Sequence, residues 1–227
     1  HLHSGTEIHQ LFYAYDACSR KSRISEKYGN EPEISYQFSY DKVGCLTDVI
    51  RNEEKYQSFE YDIFGNRSMM WKEGISTTYG YDEVNRLKWS ATGGVKKDFT
   101  YDKRGNLISE SVNGIQRLNL HFDALNRLAK AVSAQGEAEY IYNGLAMLSN
   151  VQRSENGHFM EEKLLFDYAG TQNVLLTAKT ESGWENFIWD REVILSDKTK
   201  ESTYFIHDER MSNCGLLMDG SIEHFEY

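Results

Sequence analysis

The sequence has very little proline and very little cysteine. Its single proline is Pro32, and a chain almost without proline can form uninterrupted β-ladders, because proline cannot donate a ladder hydrogen bond. The three cysteines, Cys18, Cys45 and Cys214, have no motif spacing. So few, unevenly placed cysteines predict neither a disulfide framework nor a zinc site, and we interpret all three as unpaired structural thiols.

Long apolar runs and basic clusters are also missing. No run of 18 apolar residues occurs, so we expect no membrane span. The chain has 25 Lys and Arg against 35 Asp and Glu, a net charge of −10, and its basic residues are scattered. This argues against nucleic-acid binding, which needs clustered positive charge. HExxH, CxxC and phosphate-loop motifs are absent from the sequence, so we expect no cofactor and no metal.

What the sequence does have is a repeat of about 20 residues. An aromatic residue or histidine, which we call the anchor, stands before Asp (Asn143 in one copy) at steps of 18 to 25 residues. The anchors are Tyr15, Tyr40, Tyr61, Tyr81, Tyr101, Phe122, Tyr142, Phe166, Trp189 and His207, and Tyr227 stands at the same spacing. We divide the chain into 1–12, an N-terminal segment or cloning remnant, and 13–227, an array of about ten repeats.

The residues after each anchor predict a tight turn. A short Asp side chain can bond backbone N–H groups ahead of it, and Gly or Asn three residues later tolerates a left-handed backbone. Together they are typical of a type I turn closing a hairpin. Late in the chain, Val193 and Met211 occupy the Gly or Asn position, so we expect those turns to differ. The predicted turn residues are Asp41, Gly44, Asp62, Gly65, Asn66, Asp82, Asn85, Asp102, Gly105, Asn106, Asp123 and Asn126, and the structural aromatics are Tyr40, Tyr61, Tyr81, Tyr101, Phe122 and Tyr142.

Strand patterning fills the space between these turns. An apolar residue lies two positions before each anchor, which puts both on one face of a strand. A second turn signal recurs midway, at Gly74, Gly93–Gly94, Gly114, Gly157 and Gly183. The predicted fold is therefore all-β, a long antiparallel meander of about twenty strands. Because open twisted sheets rarely exceed about ten strands, we expect it to coil into a spiral shell or wide barrel.

One position of the repeat changes character along the chain. The residue between the paired apolar positions is small or polar in early repeats, such as Ser39 and Thr100. In later repeats it is aliphatic, namely Ile141, Leu165, Ile188 and Ile206. A strand that is apolar on both faces is typical of burial on both faces, so we predict that something covers these four residues.

Candidate chemistry along the chain favours structural roles. His207 and Asp208 are strand neighbours that point to opposite faces, and Ser212 and Cys214 make no better case as nucleophiles, so we predict no catalytic residue. One Asp per turn is a poor calcium cage, so we predict no metal site. The sequence identifies no ligand-binding residues.

The motifs "YDIFGNR" (61–67), "YDKRGNL" (101–107) and "YGYDEVNRL" (79–87) resemble the Rhs/YD-repeat family. That family includes bacterial polymorphic toxins, the cocoon component of Tc toxins and animal teneurins. The resemblance runs from about Tyr13 to Tyr227, and residues 204–227 resemble the family's closing repeat, with Met211 where Gly is usual. It implies a hollow β-shell, with a core segment expected where this chain ends.

The resemblance also implies a function: a structural shell fragment that encapsulates or presents a C-terminal toxin domain, without catalysis of its own. The implied partners are the rest of the shell and a C-terminal toxin or core domain, with self-association of the fragment as a further option. The implied location is secreted or at a bacterial cell surface. The alternative is an aromatic-repeat binding module of the cell surface, for carbohydrate or adhesion. Against it, Trp71, Trp89, Trp184 and Trp189 share no position of the repeat.

Overall fold

The computed structural model describes residues 2–3, 6–7, 9–167, 174–189, 193–198, 201–207, 213–218 and 221–224. Within these ranges the chain is all-β, with strands and turns and no helix, as the repeat predicts. The chain divides into two compact units, one of residues 1–102 with 109–116 and one of residues 103–108 with 117–227.

Unit 1 is an antiparallel meander in which consecutive strands pair from β3 to β11. The two short strands that precede it pair with each other. Its strands are β1 (Leu2–His3), β2 (Thr6–Glu7), β3 (His9–Tyr15), β4 (Lys21–Tyr28), β5 (Ile34–Tyr40), β6 (Leu46–Arg51), β7 (Glu54–Tyr61), β8 (Arg67–Lys72), β9 (Ile75–Tyr81), β10 (Leu87–Thr92) and β11 (Val95–Tyr101).

Unit 2 continues the same architecture. The strands β12 (Leu107–Val112) and β13 (Ile115–Phe122) have residues in both units. From β13 onward each strand pairs antiparallel with the next. The remaining strands are β14 (Leu128–Ser133), β15 (Gly136–Tyr142), β16 (Leu148–Glu155), β17 (His158–Asp167), β18 (Val174–Thr180), β19 (Gly183–Trp189), β20 (Val193–Lys198), β21 (Glu201–His207), β22 (Asn213–Met218) and β23 (Ser221–His224).

The strands end alternately in two kinds of turn. One is the aspartate turn, which runs from the Asp after the anchor to the residue four positions later. The other is a two-residue hairpin tip, in which both residues have positive φ, as in type I′ turns. The tips are Asn52–Glu53, Glu73–Gly74, Gly93–Gly94, Asn113–Gly114 and Asn156–Gly157. Gly183, by contrast, begins β19 rather than forming a tip.

The predicted alternation of faces is present, but the predicted double cover is largely wrong for this chain. Phe38 and Tyr40 are half-buried, while Ser39 between them is exposed. At the same position in later repeats, Ile141 is 41% exposed, Leu165 54% and Ile188 51%. Of the four residues, Ile206 alone is buried, at 2%. The apolar sequence of these strands therefore leaves an exposed aliphatic face on β15, β17 and β19.

Candidate functional site: the ladder of aspartate turns

Each aspartate turn is held together by the carboxylate that opens it. In the turn that begins at Asp82, Oδ1 accepts hydrogen bonds from the backbone amides of Val84 (3.0 Å) and Arg86 (2.9 Å). The backbone amide of Asp82 donates to the Arg86 carbonyl at 2.9 Å, and that of Asn85 donates to the Asp82 carbonyl at 3.0 Å. The same pattern recurs in the turns that begin at Asp16, Asp41, Asp62, Asp123 and Asn143.

The fourth residue of each of these turns is left-handed, where Gly or Asn is favoured. This position is held by Gly44 (φ +96°), Gly65 (+80°), Asn85 (+62°), Gly105 (+91°) and Asn126 (+66°). Two further copies place other residues there, Ser19 (φ 60°) and Ala146 (φ 63°). The backbone of the turn is therefore the same even where the residue type is unfavourable.

In three turns an arginine completes the carboxylate's hydrogen bonding. The guanidinium Nε donates to the second carboxylate oxygen from Arg20 to Asp16 (2.7 Å), from Arg86 to Asp82 (2.7 Å) and from Arg127 to Asp123 (2.8 Å). Hydrogen bonds from the backbone amide and the side chain of the arginine lower the pKa of each of these carboxyl groups. The carboxylates therefore stay ionised at neutral pH.

The same arginines reach forward to the next repeat. The guanidinium of Arg20 lies over the ring of Tyr40 at 4.5 Å, that of Arg86 over Tyr101 at 4.9 Å and that of Arg127 over Tyr142 at 4.3 Å. These distances are within the range of cation–π attraction. Each of these arginines thus links the Asp of one turn to the anchor of the next, in an arrangement that we call the Asp–Arg–Tyr clasp.

The anchor hydroxyl adds a second link in the same direction. It donates to the carbonyl of the strand residue that follows the preceding aspartate turn. The pairs are Tyr40 to Lys21 (2.7 Å), Tyr61 to Leu46 (2.8 Å), Tyr81 to Arg67 (2.9 Å), Tyr101 to Leu87 (2.8 Å) and Tyr142 to Leu128 (2.9 Å), and Trp189 Nε1 donates to Leu175 at 2.6 Å. This bond gives a reason for tyrosine at the anchor, since phenylalanine, as at Phe122, cannot donate it.

Asparagine replaces arginine at the end of two turns and makes a different link. Asn66 Nδ2 donates to Asp62 Oδ2 at 3.0 Å and to Asn85 Oδ1 of the next turn at 3.0 Å. Likewise, Asn106 Nδ2 donates to Asn126 Oδ1. The recurring Gly-Asn pair of the sequence thus places an amide where it reaches the left-handed Asn of the following turn.

The ladder accounts for the positions of all the predicted turn residues and aromatics. Asp102 lies in unit 1 and accepts a hydrogen bond at its carbonyl from Arg86 Nη1 (3.3 Å), while Gly105 and Asn106 lie in unit 2. The sequence reasoning missed Arg20, Arg86 and Arg127, although "NRL" follows two of the predicted turns. A basic residue four positions after Asp, one repeat before a Tyr, would have been the signal.

Other candidates from the sequence show no assembled chemistry. In the described part of the chain, no group of three or more His, Cys, Asp or Glu side chains could hold a metal ion. Cys18 and Cys45 are free thiols there. His207 ends β21, while Asp208, Met211 and Ser212 lie outside the described residues. None of the described residues form a helix with the length and hydropathy that a membrane crossing needs.

Comparison with known proteins agrees with this architecture. Two solved structures are similar, each with a small share of its own length matched. "Crystal Structure of TcdB2-TccC3-Cdc42" matches at 14% identity and a TM-score of 0.54, over 96% of this chain and 13% of that chain. "Crystal Structure of TcdB2-TccC3-TEV" matches at 13% identity and a TM-score of 0.53, over 92% of this chain and 14% of that chain. At such identities the likeness shows the fold alone.

Sequence comparison gives the family. No curated protein sequence matches the chain. A family model described as Teneurin YD-shell matches residues 2–160, which is more than half of the 227 residues. The turns and anchors of the ladder between Tyr15 and Tyr142 lie inside the matched region. The chain belongs to the teneurin YD-shell family, whose role is that of a structural shell.

Proposed function

We propose that this chain is a length of shell wall in a larger protein that encloses or presents a C-terminal toxin domain. The ladder of aspartate turns carries the proposal. Its carboxylates, guanidinium groups and anchor hydroxyls bond to one another from turn to turn, which suits a wall that must hold its shape. The structures named for TcdB2-TccC3 support a toxin setting, although this chain spans only about 13% of their length.

Catalysis is not part of the proposed role. The titratable groups with shifted pKa values in the ladder are each explained by a structural hydrogen bond or by burial. Burial raises the pKa of Tyr61, Tyr81 and Tyr101, which keeps the hydroxyls protonated as donors to backbone carbonyls. These tyrosines are positioned for bonding to the chain itself.

The proposed location is outside the cytoplasm, secreted or at a bacterial cell surface. The proposed partners are the remaining shell and the domain that it holds. The competing idea of a carbohydrate-binding aromatic module is less favoured by the ladder, because the anchor rings are half-buried and their polar atoms donate to the backbone. A carbohydrate platform needs exposed aromatic faces with free polar groups beside them.

Protection from protease tests the enclosure. The protein encoded by the whole gene, including whatever follows Tyr227, would be digested with trypsin before and after partial denaturation with urea. We expect the region after Tyr227 to be protected until the shell unfolds. Equal digestion of that region in both conditions would contradict enclosure.

Activity assays test the absence of catalysis separately. The purified 227-residue chain should hydrolyse no peptide, glycoside or phosphodiester. A hydrolysis rate that is lost in a His207→Ala variant would contradict this part of the proposal, and it would leave the protease result untouched.

A further inference from the structure

The ladder has one turn in unit 1 where the clasp is incomplete. The residue four positions after Asp is Arg20, Asn66 or Arg86 in the neighbouring turns, but it is Cys45 in the turn that begins at Asp41. A thiol cannot provide the charged planar donor that arginine places on the carboxylate. The Asp41 turn therefore lacks the group that joins Asp to the next anchor.

This turn is nonetheless folded in the same way as its neighbours. Asp41 Oδ1 accepts from the backbone amides of Val43 (3.0 Å) and Cys45 (2.8 Å). The hydroxyl of the next anchor, Tyr61, donates to the Leu46 carbonyl at 2.8 Å, as in complete clasps. The two partners that a guanidinium would bind are thus held in place by the backbone, without the guanidinium.

Both partners line a cavity. A space of about 470 Å³ is bounded by Asp41, Cys45, Tyr61, Glu60 and Asp62, with others. Within the described residues, the second carboxylate oxygen of Asp41 receives no hydrogen bond and no cation lies over the Tyr61 ring. The cavity thus joins the two groups that are bridged by a guanidinium in the turns of Asp16 and Asp82.

We propose that this cavity, the Asp41–Tyr61 slot, binds an arginine side chain of a protein partner. The three complete clasps in the same chain show what this pair of groups binds, which is a guanidinium with Nε on the carboxylate and its plane over the tyrosine. The further carboxylates of Glu60 and Asp62 on the cavity wall favour a positive guest. A metal ion is a poorer guest, because the described residues contain no group that could hold one.

Titration with blocked arginine tests the slot directly. The probe is Nα-acetyl-arginine amide, added to the ¹⁵N-labelled 227-residue chain at constant chloride while the amide NMR signals are followed. We expect saturable shifts at Val43, Gly44, Cys45 and Tyr61. The isosteric but neutral Nα-acetyl-citrulline amide should produce none. Equal shifts with citrulline, or the same shifts with calcium chloride alone, would overturn the proposal.

Variants of the slot give the matched controls. Cys45→Arg should fill the slot from within and weaken probe binding at least tenfold, whereas Cys45→Ala should keep it, because the thiol takes no part. Asp41→Asn retains the two backbone hydrogen bonds, as Asn143 does in its own turn, and should also weaken binding. Undiminished binding to Cys45→Arg would overturn the proposal.

An artificial second slot completes the test. Arg86→Ala empties the clasp between Asp82 and Tyr101 and should create new shifts at Val84 and Asn85 on addition of the probe. Binding at the emptied Asp82 clasp together with no binding at Asp41 would show that the native cavity is not an arginine site.

Discussion

The aspartate turns and the two-residue tips reach the same left-handed backbone by different means. In the turn at Asp82, the carboxylate accepts from three donors and its partners reach the next repeat. At the tip Gly93–Gly94, φ values of +55° and +84° are reached with no side chain at all. The first kind of turn depends on side-chain chemistry and the second on backbone tolerance. Substitutions should therefore affect the two kinds in different ways.

The largest effect is expected where an aspartate turn also needs a left-handed residue. Gly105 has φ +91°, and a Cβ added there would meet no atom within 4 Å, so a Val would cost backbone strain without a clash. We expect Gly105→Val to lower the free energy of unfolding by about 1–3 kcal/mol in urea denaturation. Lys103→Val, in the same exposed turn, is the control and should cost little. Equal losses would refute the turn assignment.

A smaller loss is expected from removing one anchor hydroxyl. Tyr101→Phe deletes the hydrogen bond to the Leu87 carbonyl and keeps the ring under Arg86. We expect a cost of about 0.5–1.5 kcal/mol in the free energy of unfolding, the usual net value of one hydrogen bond. Tyr15→Phe is the matched control, because Tyr15 is 55% exposed and its hydroxyl donates to no described residue. A Tyr101→Phe variant as stable as the control would show that the hydroxyl is dispensable.

At the tips, a stabilising change is expected. Glu73 has φ 47° beside Gly74, an unfavourable conformation for glutamate. Asn113 occupies the same place in another tip, and its Oδ1 accepts from the Lys96 amide at 2.8 Å. We expect Glu73→Asn to raise the free energy of unfolding by roughly 0.5–1 kcal/mol. Glu73→Gln, which cannot adopt that conformation as readily, should give no gain, and a gain as large as that of Asn would contradict the explanation.

The most gradual effect is expected from acid. The pKa values of Asp16, Asp82 and Asp123 are lowered in the folded chain, so their contribution to stability is complete above the unfolded value of about 3.9 and is lost as pH falls through the folded value. We expect the urea midpoint to be nearly constant from about pH 7 to 5 and to fall below about pH 4. The triple Asp→Asn variant should show a flatter profile, and an unchanged profile would contradict the assignment.

How far sequence reasoning reaches can be judged from particular residues. The period, the strands and the turn that starts at each Asp follow from local rules, because Asp, Gly and Asn act within five residues of one another. The tip Asn52–Glu53 was not predicted, since "RNEEK" carries no glycine, yet both residues have positive φ. In that tip, Asn52 Oδ1 accepts from the Ser35 amide at 2.9 Å, a bond across 17 positions of the sequence.

The clasp lay beyond sequence reasoning for the same reason. Arg86 and Tyr101 are 15 positions apart, and their contact depends on the register of the strands between them. The burial of Ile141 was predicted wrongly because apolar sequence shows that a strand can be covered and says nothing of whether this chain supplies the cover. The coiling of the whole meander stays a prediction.

The direction of the clasp has a consequence for how such a chain folds during synthesis. In each clasp the earlier repeat supplies the Asp, the Arg and the acceptor carbonyl, while the later repeat supplies the tyrosine, as with Asp16, Arg20, Lys21 and then Tyr40. The half that leaves the ribosome first is closed by its own turn and is ready before its partner appears. Each new tyrosine can then be captured as it emerges, so the array can grow repeat by repeat without waiting for distant sequence.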